Sequence, residues 1–385
     1  MKILIAFIDM VRVDHLNIYN PQVRECLLDK RLREIGGKVY TRCYSPGPDT
    51  PRSMACMQTG LFPHFNGCDT RIRWPKYFIK EGVDTIWDHA VERGMKVNLC
   101  CNQNETITGF FNYKESKNIS LFYSPDEFVN KADFHENSLS FLGIPDMHTA
   151  IGDYYASDTA FKKGDKIVDL YFERYLTEGF ISQFDYTIIF SDHGYQSEKE
   201  RNKMKSTLAL LDDSRNLLLM FIHENGSIGI TTDNRLASMV DLYATVEQLI
   251  GGSDYRQGFS LMEEPHRTIT HVEDHQDFRV YPEIMIKQWR VIADDYDIRT
   301  NVKDTIISRG ANENIKAMDS YLREYAPKYA DYVKQLQVWG YYDSLKSEES
   351  HQYFVGEDRA GLFTLFLFKA IYLIKTICRR ICRGR

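Results

Sequence analysis

Asp192-His193-Gly194 closes the apolar run Tyr186-Thr187-Ile188-Ile189-Phe190-Ser191, and Asp9 closes a similar run from Ile3 to Ile8 near the start of the chain. Two carboxylates and an imidazole are the ligand types that hold a divalent cation. An Asp-His-Gly phrase is also an ordinary turn, and Asp9 is also a residue type that caps helices, so the spacing has to be explained by the elements around it. A β-branched and aromatic run of about six residues with polar flanks predicts a strand buried on both faces of a parallel sheet. Ligands of open α/β sheets gather beyond the carboxyl ends of such strands, where Asp9, Asp192 and His193 stand.

A third segment supplies a nucleophile type. In Ser45-Pro46-Gly47-Pro48-Asp49-Thr50-Pro51-Arg52-Ser53, two prolines and a glycine force a loop before Thr50, and an apolar stretch through Met57 predicts a helix after it. Thr50 is therefore expected at a helix N-terminus, as a cap or as a functional hydroxyl. Backbone N–H groups and the positive end of the helix dipole favour an anion there, and Arg52 could add a forked donor set for a tetrahedral oxyanion.

Together these pieces resemble the alkaline phosphatase/sulfatase superfamily over roughly residues 1 to 275, in the order that family uses. Asp9-Met10-Val11-Arg12-Val13-Asp14-His15-Leu16 is similar to its first metal-ligand segment, and Thr50 to His64, ending Thr59-Gly60-Leu61-Phe62-Pro63-His64, to its nucleophile segment. Counting back from Thr59-Gly60 puts Thr50 on the nucleophile position. Pro145-Asp146-Met147-His148 resembles an Asp-x-His phrase whose histidine faces the substrate, and Asp192-His193-Gly194 the second ligand pair. Asp241 to Leu249 and Gly258-Phe259-Ser260-Leu261 are similar to the family's later helix and turn.

The resemblance implies one metal site of Asp9, Thr50, Asp192 and His193, with His148 protonating or orienting the leaving oxygen and Lys205 binding a charged substrate oxygen. It also offers Asp146, His148 and His271 as a candidate second metal set. Mixed carboxylate and imidazole ligands suit Zn²⁺ or Mn²⁺, and fewer nitrogens shift the balance toward Mg²⁺ or Ca²⁺. Sulfatases need a cysteine or serine that is oxidised to formylglycine, an aldehyde that threonine cannot give, so a sulfuric ester hydrolase is disfavoured. Threonine is the nucleophile of the family's phosphodiesterases and phosphoryl transferases. The order Pro51-Arg52 departs from the family's Pro-Ser-Arg, which weakens Arg52 as an oxyanion partner and keeps a non-catalytic binding or scaffold protein as the alternative.

The rest of the chain agrees with an α/β enzyme. Its 385 residues, 43% hydrophobic and 26% charged, can bury a large core, and the net charge of −6 argues against a nucleic-acid binder. The eight cysteines lack zinc-finger spacing, and Cys100-Cys101 are adjacent, so neither a disulfide framework nor a structural zinc is indicated. Amphipathic stretches such as Asp84 to Arg93 alternate with apolar runs such as Lys96 to Cys101. That alternation predicts a doubly wound, mostly parallel sheet flanked by helices. Met220-Phe221-Ile222 is expected as a strand before a helix from Leu236 to Ile250, and Thr268 to Gln276 as a loop.

We expect a catalytic domain over 1–275, a smaller subdomain over 276–355 with a tyrosine-rich helical stretch from Asn314 to Leu345, and an amphipathic basic tail over 356–385. In the tail, Leu362 to Phe368 is followed by Lys369, Lys375, Arg379, Arg380, Arg383 and Arg385, the pattern of an interfacial membrane helix. With no signal peptide before the first strand, the chain is expected in the cytoplasm, peripheral at the membrane. The expected substrate is a phosphate-ester small molecule or a lipid-linked or surface glycan; the oligomeric state has no sequence signal.

Overall fold

A computed structural model describes residues 1–68, 79–101, 113–134, 136–153, 158–197, 199–200, 208, 211–277, 285–302 and 304–338. Eight strands form one sheet: β1 Lys2–Ile8, β2 Gly37–Tyr44, β3 Lys96–Cys100, β4 Ile119–Phe122, β5 Ser138–Ile144, β6 Tyr186–Phe190, β7 Met220–Glu224 and β8 Ile230–Ser238. Their order is β4-β3-β5-β1-β6-β7-β2-β8. β7 runs antiparallel to β6 and β2, and the other neighbouring pairs are parallel.

The continuous apolar run of β1 has a simple cause. Ile3, Ile5 and Phe7 enter one core with Met54, Trp87 and Tyr243, while Leu4, Ala6 and Ile8 enter another with Leu28, Phe128 and Phe172. Side chains alternate across a strand, so a strand covered on both faces must be apolar at every position. Helices Thr50–Thr59, Ile86–Glu92 and Met239–Leu249 cover the first face, and Leu27–Ile35, Pro125–Lys131 and Asp158–Arg174 the second. This is the expected doubly wound architecture.

A second, antiparallel sheet comes next in the chain, with β9 Ile269–Asp277, β10 Met285–Ala293, β11 Asp297–Thr300 and β12 Thr305–Arg309. Trp289, Val291 and Ile298 pack there against Leu322, Tyr329 and Val333 of helices Asn314–Tyr325 and Pro327–Val338. The expected loop from Thr268 to Gln276 is thus strand β9, paired with β10 from Ile269 opposite Ala293 to Asp277 opposite Met285. The division at 275/276 falls inside that strand. Pro327 splits the expected tyrosine-rich helix, because proline lacks the N–H and clashes with the preceding turn.

The helix expected from Leu236 starts at Met239, since Leu236 to Ser238 finish β8 and the Asp241 carboxylate accepts the Ser238 backbone N–H at 2.8 Å. Cys26, Cys43, Cys56, Cys68, Cys100 and Cys101 are free thiols. Among the described residues no helix is long and apolar enough to cross a membrane. Lys205 and the tail over 356–385 lie outside the described residues.

Candidate metal and nucleophile site

β1 lies between β5 and β6, parallel to both, with Phe7 opposite Phe190 and Ile8 opposite Ile144. The chain therefore delivers Asp9 and Asp192 to the same carboxyl edge of the sheet. Asp9 N–H donates to the Ile144 carbonyl at 3.2 Å, after which Met10 turns the chain with φ of 63°. That left-handed turn aims the Met10 N–H at Asp192 Oδ1, 3.2 Å away, and the His193 N–H reaches the same oxygen at 2.8 Å.

With Oδ1 held by two amides, Asp192 Oδ2 is fixed in place. It is buried, and no hydrogen-bond donor among the described residues reaches it. His193 Nδ1 lies 2.7 Å from the Gly194 carbonyl. A carbonyl only accepts, so Nδ1 carries a proton, and the lone pair of the neutral ring is the one on Nε2. That Nε2 lies 3.4 Å from Asp192 Oδ2 and 3.9 Å from Asp9 Oδ1. One ligand atom from each of Asp9, Asp192 and His193 falls within 4.8 Å of the others, and all three residues are buried. Converging lone pairs and two carboxylates repel one another in a buried setting unless a cation lies among them. The donor set therefore fits a divalent cation.

Thr50 adjoins this cluster from the start of helix Thr50–Thr59. Asp49, not Thr50, is the helix cap: its Oδ1 accepts the Arg52 N–H at 3.2 Å, Thr50 is the first helical residue and Pro51 the second. The half-buried Thr50 hydroxyl points at His193 Nε2, 3.3 Å away. Ser53 Oγ donates to the Asp192 carbonyl at 2.9 Å and ties the helix to the end of β6. His148, on helix Asp146–Asp153, is exposed, with Nδ1 3.6 Å from Asp9 Oδ2, on the solvent side of the cluster.

Two expected assignments are corrected. Arg52 is not an oxyanion partner, because it is fully buried and its guanidinium is engaged by Asp49, by Asp274 Oδ1 at 3.0 Å and by the Glu273 carbonyl at 3.3 Å. Burial alone would push the Asp274 carboxyl up, but Arg52 and Arg215 outweigh it and hold the carboxyl low. The Asp146 side chain lies outside the described residues, and among those described His271 does not join the metal-ligand group of Asp9, Asp192 and His193. It is buried in β9, with its ring 4.3 Å from that of Phe62 and Nδ1 3.2 Å from the Tyr321 hydroxyl. Phe62 follows the far end of helix Thr50–Thr59, which is about 15 Å long, so His271 packs near the end of that helix opposite to Thr50.

Several contributors had no role in the sequence reading. Arg12 is buried over the Tyr195 ring at 5.4 Å and bridges Asp14 to Glu200 at 2.7 Å, linking the segments that come after β1 and β6. Burial works against the charge on Glu200, yet hydrogen bonds from Arg12 and Ser197 bring its carboxyl down from 4.5 to about 2. Asp49 was findable, since an aspartate ahead of Thr-Pro is a helix-start signal. Asp274 and Glu200 carry no local signal. A pocket of about 440 Å³ lined by Tyr255, Phe259, Arg267, Tyr321 and Tyr325 includes none of Asp9, Thr50, Asp192 or His193.

No protein-family model matches the chain, and no curated protein matches it in sequence. Solved structures do share its fold. A Bacteroides thetaiotaomicron protein provisionally described as a sulfatase is 14% identical, with 93% of this chain and 96% of that chain covered at a TM-score of 0.61. A phosphonate monoester hydrolase from Silicibacter pomeroyi is 10% identical, covering 87% and 94% at 0.58. An alkaline phosphatase superfamily protein from Vibrio parahaemolyticus is 16% identical, covering 77% and 76% at 0.55. The chain has the fold of the alkaline phosphatase/sulfatase superfamily, as its motif order implies.

Proposed function

We propose that this chain is a metal-dependent enzyme that hydrolyses or transfers phosphate esters or diesters through Thr50. The observation that carries the reading is the Thr50 hydroxyl 3.3 Å from His193 Nε2, at the edge of the buried Asp9, Asp192 and His193 cluster. A divalent cation held by Asp9, Asp192, His193 and Thr50 would supply charge to stabilise the Thr50 alkoxide and polarise a substrate oxygen. The first helical turn presents Thr50 Oγ1 for attack at phosphorus. One P–O bond forms to Thr50 as the bond to the leaving oxygen breaks, and His148 on the solvent side orients or protonates that oxygen. Water or an acceptor hydroxyl then takes the phosphoryl group from Thr50. The first half-reaction is common to hydrolases and transferases.

The phosphoryl reading draws on the threonine at position 50 and on the phosphonate monoester hydrolase among the structural neighbours. Sulfuric esters are the competing substrate, because the same neighbours include a protein provisionally described as a sulfatase. A non-catalytic binding or scaffold role is favoured by one observation, the withdrawal of Arg52 from the site into its buried network. The basic tail suggests a lipid-linked or surface-glycan substrate met at a membrane.

The test is turnover of p-nitrophenyl phosphate, bis-p-nitrophenyl phosphate and p-nitrophenyl sulfate with Mn²⁺, Zn²⁺, Mg²⁺ or Ca²⁺, for wild type and Thr50→Ala. Phosphoester turnover lost in Thr50→Ala supports the proposal. Sulfate turnover would move the chain to the sulfuric ester reading, and a folded protein that turns over none of them would move it to the non-catalytic one.

A further inference from the structure

Asp274 lies in β9 of the second sheet and is fully buried, yet it reaches into the N-terminal turn of the helix that carries Thr50. Its Oδ1 accepts from Arg52 at 3.0 Å, and Arg52 Nε donates to Asp49 Oδ2 at 2.9 Å. The other Asp49 oxygen caps the helix through the Arg52 N–H. The loop before Thr50 is clamped from the same side: Glu273 N–H donates to the Pro46 carbonyl at 2.8 Å, and Arg215 to the Pro48 carbonyl at 3.1 Å. Gly47 lies so close that a Cβ there would stand 2.7 Å from Arg52 Cβ.

We propose that Asp274 is a positioning residue for Thr50, acting through Arg52 and the Asp49 cap, so that the second sheet sets where the nucleophile stands. The inference rests on the reading of Thr50 as nucleophile. A buried chain of charges is a weak source of stability, since desolvation offsets most of the Coulomb gain and apolar residues of similar volume do as well. What such a chain does supply is a defined geometry, because a forked guanidinium between two carboxylates has few arrangements. An N-cap fixes the backbone of the first turn, and Thr50 is the first residue of that turn. Three of the four proposed metal ligands, Asp9, Asp192 and His193, hang from the ends of β1 and β6 rather than from this helix, so most of the metal affinity is expected to survive a shift of Thr50.

The experiment compares wild type with Asp274→Asn, which leaves Arg52 its Asp49 partner, and with Arg52→Lys, which keeps the buried charge and loses the fork. Three quantities are read: amide hydrogen exchange at positions 52 and 53, whose N–H groups are held by Asp49, Mn²⁺ affinity of the intact chain, and kcat and KM for p-nitrophenyl phosphate. We expect both variants to fold and to bind Mn²⁺ within about twofold of wild type. Exchange in the first helical turn rises at least about tenfold while that of β1 and β6 is unchanged, and kcat falls about 10- to 100-fold at constant KM. Unchanged exchange at positions 52 and 53 overturns the proposal, as does a parallel loss of Mn²⁺ affinity or global unfolding of both variants, either of which marks a general structural role. Absence of turnover in wild type instead sinks the phosphoester reading, and the exchange result still decides whether Asp274 orders the turn.

Discussion

The carbonyl oxygen of Ser214 fills the space that a side chain at Gly194 would need: a Cβ on Gly194 would stand 2.3 Å from it. The Gly194 N–H also donates to the Arg215 carbonyl at 2.8 Å, so the segment around Ser214 closes directly on the turn that carries Asp192 and His193. Gly194→Ala must push these two backbones apart. We predict a loss of about 1–3 kcal/mol of stability and a 10- to 100-fold weaker Mn²⁺ affinity, because the Gly194 carbonyl orients the imidazole. Chemical denaturation and Mn²⁺ titration check this, and wild-type affinity in the variant would count against the ligand geometry.

Metal removal separates the cluster from a purely structural pair of carboxylates. If Asp9, Asp192 and His193 bind a cation only when folded, saturating Mn²⁺ at 100 times its dissociation constant adds about 2.7 kcal/mol, and a chelator takes it away. In Asp192→Asn that increment should vanish while the metal-free protein stays folded, because one carboxylate fewer relieves repulsion. Thermal melts with and without Mn²⁺ give the answer; an equal Mn²⁺ increment in the variant would refute the assignment.

His148 acts on the leaving oxygen in the proposed reaction, so its loss should depend on the leaving group. With phenyl phosphate, whose leaving oxygen needs a proton, His148→Asn is expected to lower kcat about 100-fold; with p-nitrophenyl phosphate the drop should be several times smaller. Equal losses on both substrates would assign His148 to binding instead.

Glu200 predicts an acid dependence. Its folded carboxyl lies at about 2, below the ordinary 4.5, so its bridge to Arg12 stabilises the fold fully above the unfolded value and fades as pH falls toward 2. Denaturation of wild type and Glu200→Gln should therefore differ at pH 7 and converge between about pH 4.5 and 2. A gap that stays constant across that window would mean that the Arg12 bridge is not its source.

The basic tail predicts salt-sensitive binding to anionic lipid. Its Lys369, Lys375, Arg379, Arg380, Arg383 and Arg385 should each contribute about 1 kcal/mol at an anionic surface, less as salt rises. Co-sedimentation with phosphatidylserine vesicles should be strong at low salt and weak with neutral vesicles, and a chain ending at residue 355 should not sediment. Equal sedimentation of the shortened chain would remove the membrane proposal.

The sheet and the edge where Asp9, Asp192 and His193 meet were legible in the sequence because both depend on local pattern. A strand buried on both faces must be apolar throughout, as Ile3 to Ile8 and Tyr186 to Phe190 are, and the residues just past its end stand at the carboxyl edge. The helix after Pro48 was legible from its prolines. β9 was not, because Thr270, His271, Glu273 and Asp274 read as a polar loop when their buried partners are unknown.

Periodicity and chain direction made the doubly wound sheet and the residue types at its carboxyl edge readable from the chain alone, while the motif order was readable through the family resemblance. The tertiary structure was needed to show that Arg52 turns away from the site toward Asp274 and that His271 packs on Phe62 and Tyr321. The direction of a buried polar side chain is set by partners on distant elements, because leaving it unpaired costs about 1–3 kcal/mol, more than its local rotamer preferences.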